Sequence, residues 1–184
     1  MFPIVIASLC LASSFSVPGM PEAEWDDTEV VTNAVLPTAR ADSRVFAFSL
    51  ELDATASNNV EVAFGRDADR DGVLSRGEAD MLVGWDCGAW KIIDCTTGDE
   101  TIEQGTEGHV SLGWRLEFNA ANVPRSLSVT INDSAAFAAL AANPPRFLYS
   151  SEWDTVRIVC RGMDSPNPVI AGSIENIPLA IRIR

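Results

Sequence analysis

The feature that most constrains the fold is a repeated alternation of apolar and polar residues. Residues 45–52 and 110–118 each place an apolar side chain at every second position, with mostly small or polar residues between. Shorter segments with the same alternation cover residues 127–131, 156–160 and 177–183. Successive side chains of a β-strand point to opposite faces, so this pattern is typical of strands buried on one face only. Asn, Gly and Pro turns separate the segments. The sequence therefore predicts an all-β domain over residues 45–184, an antiparallel β-sandwich or jelly roll.

One segment departs from the strand pattern. Residues 134–142 are rich in alanine, follow Asn132 and Asp133, and stop at the Pro144-Pro145 pair. Asn and Asp are favoured N-cap residues, and proline ends a helix. We therefore expect one short Ala-rich helix here, covering one end of the sandwich.

A cluster of carboxylates occupies the twelve residues 67–78. Acidic residues stand at the first, third, fifth and twelfth positions, namely Asp67, Asp69, Asp71 and Glu78. Gly72 lies at the sixth position, where a tight loop needs a sharp turn, and Leu74 at the eighth position is apolar enough to enter a core. Like charges about 4 Å apart repel by ~1 kcal/mol in water and by more where solvent is partly excluded. A bound cation would relieve this repulsion.

The segment 67–78 resembles the calcium-binding loop of EF-hand proteins and the related loop of dockerin modules. The resemblance covers these twelve of 184 residues. It implies six ligands: the side chains of Asp67, Asp69, Asp71 and Glu78, the carbonyl of Val73, and Ser75 directly or through water. Because no second loop and no Met-rich helix accompany it, we expect a structural calcium ion rather than a regulatory one.

The flanks of the loop depart from the EF-hand pattern. Ala79 occupies a position that is usually a large apolar residue. Residues 60–64 alternate as a strand does, where an EF-hand would have its entering helix. Residues 78–82 are compatible with a short helical turn closed by Gly84. The expected insertion is therefore a strand, the calcium loop and a short helix.

The overall charge excludes several classes of partner. The chain carries a formal net charge of −13 and has a pI of about 4.3. Such a field repels nucleic acid and anionic membranes, so neither is an expected partner. A hydrophobic content of 47% and five tryptophans indicate a folded domain with a sizeable core.

The N-terminal residues resemble a secretory signal. Residues 3–12 are almost entirely apolar, and Ser14 and Ser16 precede a possible cleavage site before Val17. The basic residues that usually start such a signal are absent, and the apolar run is too short for a transmembrane span. We expect residues 1–16 to be a signal peptide, with an N-terminal strand of the mature fold as the alternative. We then expect residues 17–44 to form an acidic linker or N-terminal arm with a possible strand at 29–35. We also expect the protein to be secreted or at the cell surface.

Cysteine spacing is consistent with export. Cys87 and Cys95 lie eight residues apart around Trp90, and we expect them to form a small disulfide loop. Cys160 alternates with apolar strand residues, so a buried free thiol is the expected state there.

The tryptophans allow two interpretations. Trp114 alternates with core residues and is expected to be buried. Trp85, Trp90 and Trp153 lie near acidic residues, so they could stack on sugar rings if exposed, or could pin the loop region to the sheet if buried. Both interpretations remain open.

Catalytic motifs are absent from the sequence. His109 is the single histidine, and no nucleophile elbow, zinc-binding motif or phosphate-binding glycine loop is present. We therefore expect that the protein is not an enzyme. The leading hypothesis is a non-catalytic surface module with one structural calcium, whose partner is a glycan or another surface protein. The alternatives are a calcium-dependent carbohydrate-binding module that uses exposed tryptophans, and an acidic hydrolase with an unassigned carboxylate pair.

Overall fold

The computed structural model describes residues 12–17, 30–35, 43–119, 123–144, 153–161 and 168–176. These residues form twelve strands and one helix. The first six strands are β1 (Ala12–Val17), β2 (Val30–Val35), β3 (Ser43–Ala54), β4 (Asn59–Gly65), β5 (Ala79–Asp86) and β6 (Ala89–Asp94). The remaining elements are β7 (Glu100–Gln104), β8 (Gly108–Phe118), β9 (Pro124–Ile131), β10 (Ser134–Ala136), α1 (Ala138–Ala142), β11 (Thr155–Arg161) and β12 (Val169–Asn176).

The strands form two antiparallel six-stranded sheets. The first sheet has the order β1-β12-β3-β8-β9-β10, and the second has the order β2-β11-β4-β5-β6-β7. Both sheets contribute to one buried core, so the fold is an antiparallel β-sandwich, as expected.

Aromatic side chains join the two sheets at one end of the core. Phe46 of the first sheet packs against Phe64 of the second, with ring centroids 5.3 Å apart and nearly perpendicular ring planes. Trp153, just before β11, lies 4.9 Å from the Phe46 ring and 5.6 Å from the Phe64 ring. Aromatic pairs of this kind, edge-to-face or stacked, contribute roughly 0.5–1.5 kcal/mol beyond the area they bury.

The alternating segments at 45–52, 60–64, 110–118, 127–131 and 156–160 lie within strands of the structure. In β8, for example, Val110, Leu112 and Trp114 face the core while Ser111 and Arg115 lie on the other face. The strand expected at 29–35 corresponds to β2. The segment 177–183 lies outside the described residues.

The Ala-rich helix is shorter than expected. Asn132 and Asp133 have positive φ angles of 47° and 62° and form the two-residue turn between β9 and β10. Residues 134–136 are therefore a strand, and the helix begins only at Ala138. Asn and Asp tolerate this left-handed conformation, which is the backbone that a tight hairpin needs. The prediction of a helix from residue 134 was wrong because hairpin pairing took precedence over the helix propensity of alanine.

Part of the expected signal segment is a strand in the structure. Strand β1 is at the edge of the first sheet and pairs antiparallel with β12, from Ala12 opposite Glu175 to Val17 opposite Ile170. This is the placement that the alternative of an N-terminal strand requires. Cleavage after residue 16 stays a prediction, as does the division of the chain at residues 17 and 45.

Candidate functional site

The acidic loop connects two central strands of the second sheet. It follows β4 and leads into β5, and its two ends meet at Gly65. A side chain at Gly65 would lie 2.2 Å from the carbonyl oxygen of Glu78, so only glycine allows this close approach. Leu74, at the eighth position of the loop, is fully buried, and its side chain contacts the same glycine position. The loop therefore folds back onto the sheet instead of extending into solvent.

Three of the predicted ligands converge in the loop. Oxygen atoms of Asp67, Asp69 and Asp71 all lie within 4.8 Å of one another. Ligands on opposite sides of one calcium ion are separated by roughly 4.6–5.2 Å, twice the calcium–oxygen distance, so this spacing suits a single coordination sphere. Gly72 has a φ of +84° and turns the chain at the sixth position, as the pattern requires.

One oxygen of Asp67 is the best indication that the loop suits a cation. Oδ2 accepts a hydrogen bond from the backbone N–H of Gly72 at 2.9 Å. Oδ1 is buried and has no hydrogen-bond partner among the described residues. A buried carboxylate oxygen without a partner is costly, and a hard cation is a suitable partner for it.

The other predicted ligands occupy different places. The carboxylate of Glu78 lies across the loop: Oε1 accepts from the N–H of Ala68 at 2.9 Å and Oε2 from the N–H of Ser75 at 3.0 Å. Glu78 therefore closes the loop and is not part of the close group of three aspartates. Val73 is exposed, and its N–H donates to Asp71 at 2.7 Å. Each carboxylate oxygen keeps a second lone pair, so these hydrogen bonds are compatible with metal coordination.

The electrostatics of the loop reflect this crowding of acids. The backbone hydrogen bond from Asp71 lowers the pKa of Asp69. Desolvation and the charges of Asp71 and Glu78 outweigh that effect, so the pKa of Asp69 is raised overall. Hydrogen bonds from Ser75 and Ala68 lower the pKa of Glu78. The side chain of Ser75 and backbone N–H groups of the loop thus favour the ionised form of Glu78, while the neighbouring charges of Asp71 and Glu78 disfavour the ionised form of Asp69.

Two acidic residues that sequence reasoning missed tie the loop to its surroundings. Asp154, just before β11, accepts the N–H of Asp67 at 2.9 Å and the hydroxyl of Thr155 at 3.0 Å. Asp80 is the extra residue of a β-bulge, because Ala79 pairs with Gly65 while Met81 pairs with Phe64. Neither residue belongs to the twelve-residue pattern, so only the packing of β11 beside β4 reveals the first of these contacts.

The short helix expected after the loop is absent. The N–H groups of Glu78 and Ala79 donate to the carbonyl of Ser75, which makes a single turn. Strand β5 then starts at Ala79 and includes most of the segment expected to be helical. Pairing with both β4 and β6 overrides the local pattern, because each neighbouring strand supplies backbone hydrogen bonds.

The three tryptophans proposed to stack on sugars are buried. Trp85, Trp90 and Trp153 are at most 1% exposed. Trp85 and Trp90 face each other across the β5–β6 hairpin with perpendicular rings 5.6 Å apart, and the indole of Trp85 donates to the carbonyl of Thr55. The indole N–H of Trp153 donates to Asp80 at 2.9 Å. The interpretation of these residues as anchors is therefore correct, and the stacking role is wrong.

The predicted disulfide is also absent. Cys87 and Cys95 are free thiols. Cys87 lies in the turn before β6, and Cys95 follows its last residue, so the six residues of this strand separate them. An extended strand of that length spans roughly 20 Å. A disulfide requires Cα atoms within roughly 7 Å. The spacing of eight residues was misread because the intervening residues are extended. Cys160 is a buried free thiol, as expected.

A groove crosses the outer face of the second sheet next to the acidic loop. Its volume is about 680 Å³, within the usual range for small-ligand sites. Leu74, Ser75 and Arg76 of the loop form one side of it. The floor comes from the strands, whose register places Arg157 of β11 beside Ala63 of β4, then Leu82 of β5 and Ile93 of β6.

Charged side chains border the groove. Arg161 of β11 forms an ion pair with Glu61 at 3.0 Å and donates to Asn59 at 3.2 Å. The amide of Asn59 in turn donates to Asp86, which pairs with Lys91 at 2.5 Å. The outer face thus joins an apolar strip to a polar network that runs along the same strands.

The described lining of this groove does not supply the carboxylate pair that glycoside hydrolysis uses. Among its described lining residues the single carboxylate is Glu61, which is paired with Arg161. His109 is exposed on the first sheet, and its Nδ1 lies 3.0 Å from Oδ1 of Asp53, which is also exposed. In the part of the chain that the structure describes, no helix is long and apolar enough to cross a membrane.

The fold and the loop define a two-sheet antiparallel β-sandwich with an acidic loop on one sheet. No profile of a known protein family matches the sequence. No curated protein sequence matches it significantly.

Solved structures with a similar fold share little sequence with this chain. The carbohydrate recognition domain of Emp46p is 8% identical, with a TM-score of 0.54 over 90% of this chain and 87% of that one. A fructofuranosidase from Schwanniomyces occidentalis complexed with fructose is 9% identical, with a TM-score of 0.50 over 96% of this chain and 36% of the enzyme. A tetrameric galectin from Cinachyrella sp. (ball sponge) is 8% identical, with a TM-score of 0.46 over 79% of this chain and 99% of the galectin. At these identities the similarity concerns the fold.

Proposed function

We propose that this chain is a non-catalytic, secreted or cell-surface β-sandwich module that binds carbohydrate and is stabilised by one structural calcium ion in the loop 67–78. Two observations support the calcium part: carboxylate oxygens of Asp67, Asp69 and Asp71 lie close together, and Oδ1 of Asp67 is buried without a hydrogen-bond partner among the described residues. Glu78, Val73 and Ser75 would complete the ligand set as the EF-hand resemblance implies.

The position of the loop explains what the ion would stabilise. Calcium would hold together the end of β4 and the start of β5, and the contact between Asp67 and Asp154 would extend that effect to β11. Calcium that binds the folded state alone stabilises it by mass action, by about 2.7 kcal/mol when the free ion is at one hundred times its dissociation constant.

Two observations support carbohydrate as the ligand. The fold resembles that of a carbohydrate recognition domain, and a groove of suitable size lies beside the loop. Trp85, Trp90 and Trp153 play no part in this proposal because they are buried. A hydrolase is less well supported, since the described lining of the groove offers one carboxylate where glycoside hydrolysis uses two.

Export is supported by the apolar segment at the N-terminus. Residues 3–12 and the small residues Ser14 and Ser16 still suit a secretory signal. A disulfide would have been a second argument for an oxidising compartment, but Cys87 and Cys95 are free thiols.

Calorimetric titration with calcium, followed by a glycan array probed with the calcium-loaded protein, tests this function. We expect one calcium site per chain and binding to a defined set of saccharides. Failure to bind calcium would contradict the metal site, and an empty glycan array would contradict the carbohydrate module. The two parts of the proposal can therefore fail separately.

A further inference from the structure

The described charged side chains that line the groove on the outer face of the second sheet are mostly basic, whereas the chain as a whole is acidic. The chain carries 26 acidic residues and 13 lysines and arginines. Among the described residues that line the groove, three are basic, namely Arg76, Arg157 and Arg161, and one is acidic, namely Glu61. The charged side chains of this described lining therefore sum to about +2 on a chain of net charge −13. A basic concavity on an acidic surface concentrates anionic ligands there.

The floor of the groove is apolar and spans several strands. Ala63, Leu82 and Ile93 are cross-strand neighbours on β4, β5 and β6, and Arg157 on β11 continues the same row. Val159 adds a further aliphatic side chain beside this row, opposite Glu61 in the register. The row covers three spacings between strands, roughly 14 Å. A site of this length suits an oligosaccharide better than a single sugar.

The arginines lie at two sides of the apolar row. Arg157 and Arg161 belong to β11, where Arg161 is held by Glu61 and Asn59. Arg76 belongs to the acidic loop and lies on the side formed by that loop. Guanidinium groups pair with carboxylates and sulfates through two parallel hydrogen bonds, and aliphatic side chains suit the apolar face of a pyranose ring.

From this arrangement we infer that the outer-face groove binds an acidic oligosaccharide, one that carries carboxylate or sulfate groups. This inference rests on the proposed carbohydrate-binding function and names its site and its ligand class. The acidic groups pair with Arg76 and Arg157, and the sugar rings lie over Ala63, Leu82 and Ile93. The arginine at position 76 also links ligand binding to the loop, because the conformation of the loop sets where that side chain lies.

An acidic peptide fits the same charge but not the same surface. Extended peptides bind sheets by adding a strand at an edge, where backbone groups are unpaired. The groove instead lies over β4 and β5, which are both paired with a neighbour on each side. Their backbone hydrogen bonds are used within the sheet, so a peptide gains no main-chain contacts there. A saccharide requires only side-chain partners.

The test uses the full chain with calcium and three acidic probes: oligogalacturonate, oligomannuronate and heparin oligosaccharides. Methyl-esterified oligogalacturonate is the neutral control, and a poly-glutamate peptide is the control for charge alone. The variants are Arg76→Gln and Arg157→Gln. Arg125→Gln is the matched control, since Arg125 is exposed on β9 in the other sheet. Thermal unfolding of each variant checks that it is folded.

We expect at least one acidic probe to bind, with affinity that falls as salt is added. Each groove variant should weaken binding about tenfold or more, as loss of a hydrogen bond between charged groups does. Arg125→Gln tests whether a positive charge outside the groove matters. Methyl esterification tests whether the charge of the ligand matters. Specifically, Arg125→Gln should leave affinity unchanged and the ester should not bind. If Arg157→Gln alone fails to fold, Arg76→Gln on the exposed loop decides the matter.

Other outcomes overturn the inference in distinguishable ways. Neutral glycans that bind without any effect of Arg76→Gln or Arg157→Gln would refute the acidic ligand and leave the carbohydrate module intact. Equal weakening by Arg125→Gln would show non-specific attraction and refute the groove. Binding of poly-glutamate in place of saccharide, or no binding to any glycan, would refute the inference and the proposed function together.

Discussion

The two faces of the second sheet are built from the same strands but obey different rules. On the inner face, Val60, Val62, Met81 and Val83 are fully buried and contribute to one apolar core. On the outer face of the same strands, half-buried apolar side chains lie next to ion pairs such as Glu61–Arg161. The inner face follows from the need to exclude water. The need to exclude water does not explain which residues lie on the outer face. The outer face is therefore the more informative one for function.

The comparison can be tested most directly with two neighbours on β5. Met81 is fully buried on the inner face, and Leu82 is half-buried on the outer face. We expect Met81→Ala to lower the free energy of unfolding by about 2–5 kcal/mol, because it removes buried methylenes and leaves a cavity. Leu82→Ala should cost about 1 kcal/mol, since much less surface leaves contact with protein. Urea unfolding of both variants measures the difference, and equal losses would show that the outer face is as tightly packed as the core.

The loop that borders the outer face should respond to metal removal. With calcium at one hundred times its dissociation constant, we expect a chelator to lower stability by about 2.7 kcal/mol, seen as a lower melting temperature. Asp67→Asn should remove most of that sensitivity, because it neutralises the carboxylate with the buried free oxygen. Asp99→Asn is a suitable control, as Asp99 is an exposed acid outside the loop. A chelator effect of the same size in wild type and Asp67→Asn would place the metal elsewhere.

The contact between Trp153 and Asp80 connects the core to the β-bulge at the start of β5. Trp153→Phe keeps an aromatic ring against Phe46 and Phe64 but removes the donor to the buried carboxylate of Asp80. We expect a loss of about 1–3 kcal/mol, because Oδ2 of Asp80 loses this donor while Oδ1 keeps the hydroxyl of Thr96. The matched variant Asp80→Asn keeps an acceptor for the indole and should cost less. If both variants unfold at the wild-type denaturant concentration, the contact contributes nothing measurable.

The smallest expected effect concerns the Asp86–Lys91 pair on the outer face. Hydrogen bonds from Lys91 and Asn59 lower the pKa of Asp86, and the pairing with Asp86 raises the pKa of Lys91. An acid whose pKa is lower in the folded state stabilises the fold at pH above its unfolded pKa of about 3.9. This contribution is lost as the pH falls through the folded pKa. A lysine whose pKa is higher in the folded state stabilises the fold at pH below its unfolded pKa of about 10.4. This contribution is lost as the pH rises through the folded pKa. The pair therefore stabilises between these limits.

Its magnitude should be modest because both side chains are about one third exposed. We expect a coupling of about 0.2–1 kcal/mol near neutral pH from a double-mutant cycle with Asp86→Asn and Lys91→Met. The same cycle at pH 2.5 should give a smaller value. A coupling that is independent of pH across the acid range would contradict an electrostatic origin.

The strands that were predicted correctly from the sequence alternate apolar and polar residues over a long stretch. The segments that were wrongly predicted to be helical do not. Strands β3 and β8 alternate over many residues because one face is buried, so their pattern is readable without tertiary information. Residues 78–82 and 134–136 carry local signals for helix, yet each segment pairs with a neighbouring strand in the fold. Long-range hydrogen bonds decided these cases, and no short window of sequence contains them.

The candidate site divides in the same way. The spacing of Asp67, Asp69 and Asp71 is local, and the structure brings these three carboxylates together. The contact of Asp154 with the loop, eighty-seven residues along from Asp67, depends on β11 lying beside β4. The prediction of a disulfide between Cys87 and Cys95 was wrong for a related reason. The distance between these residues depends on whether the strand β6 between them is extended.

The amino-acid sequence by itself determined that this protein is a β-sandwich with an acidic loop, because alternation within a strand and carboxylate spacing within a loop act between residues close along the chain. Tertiary structure alone decided which of the described tryptophans are buried, and that arginines of β11 and of the loop line one groove. These features depend on the register between β11, β4, β5 and β6, which sets which distant side chains become neighbours.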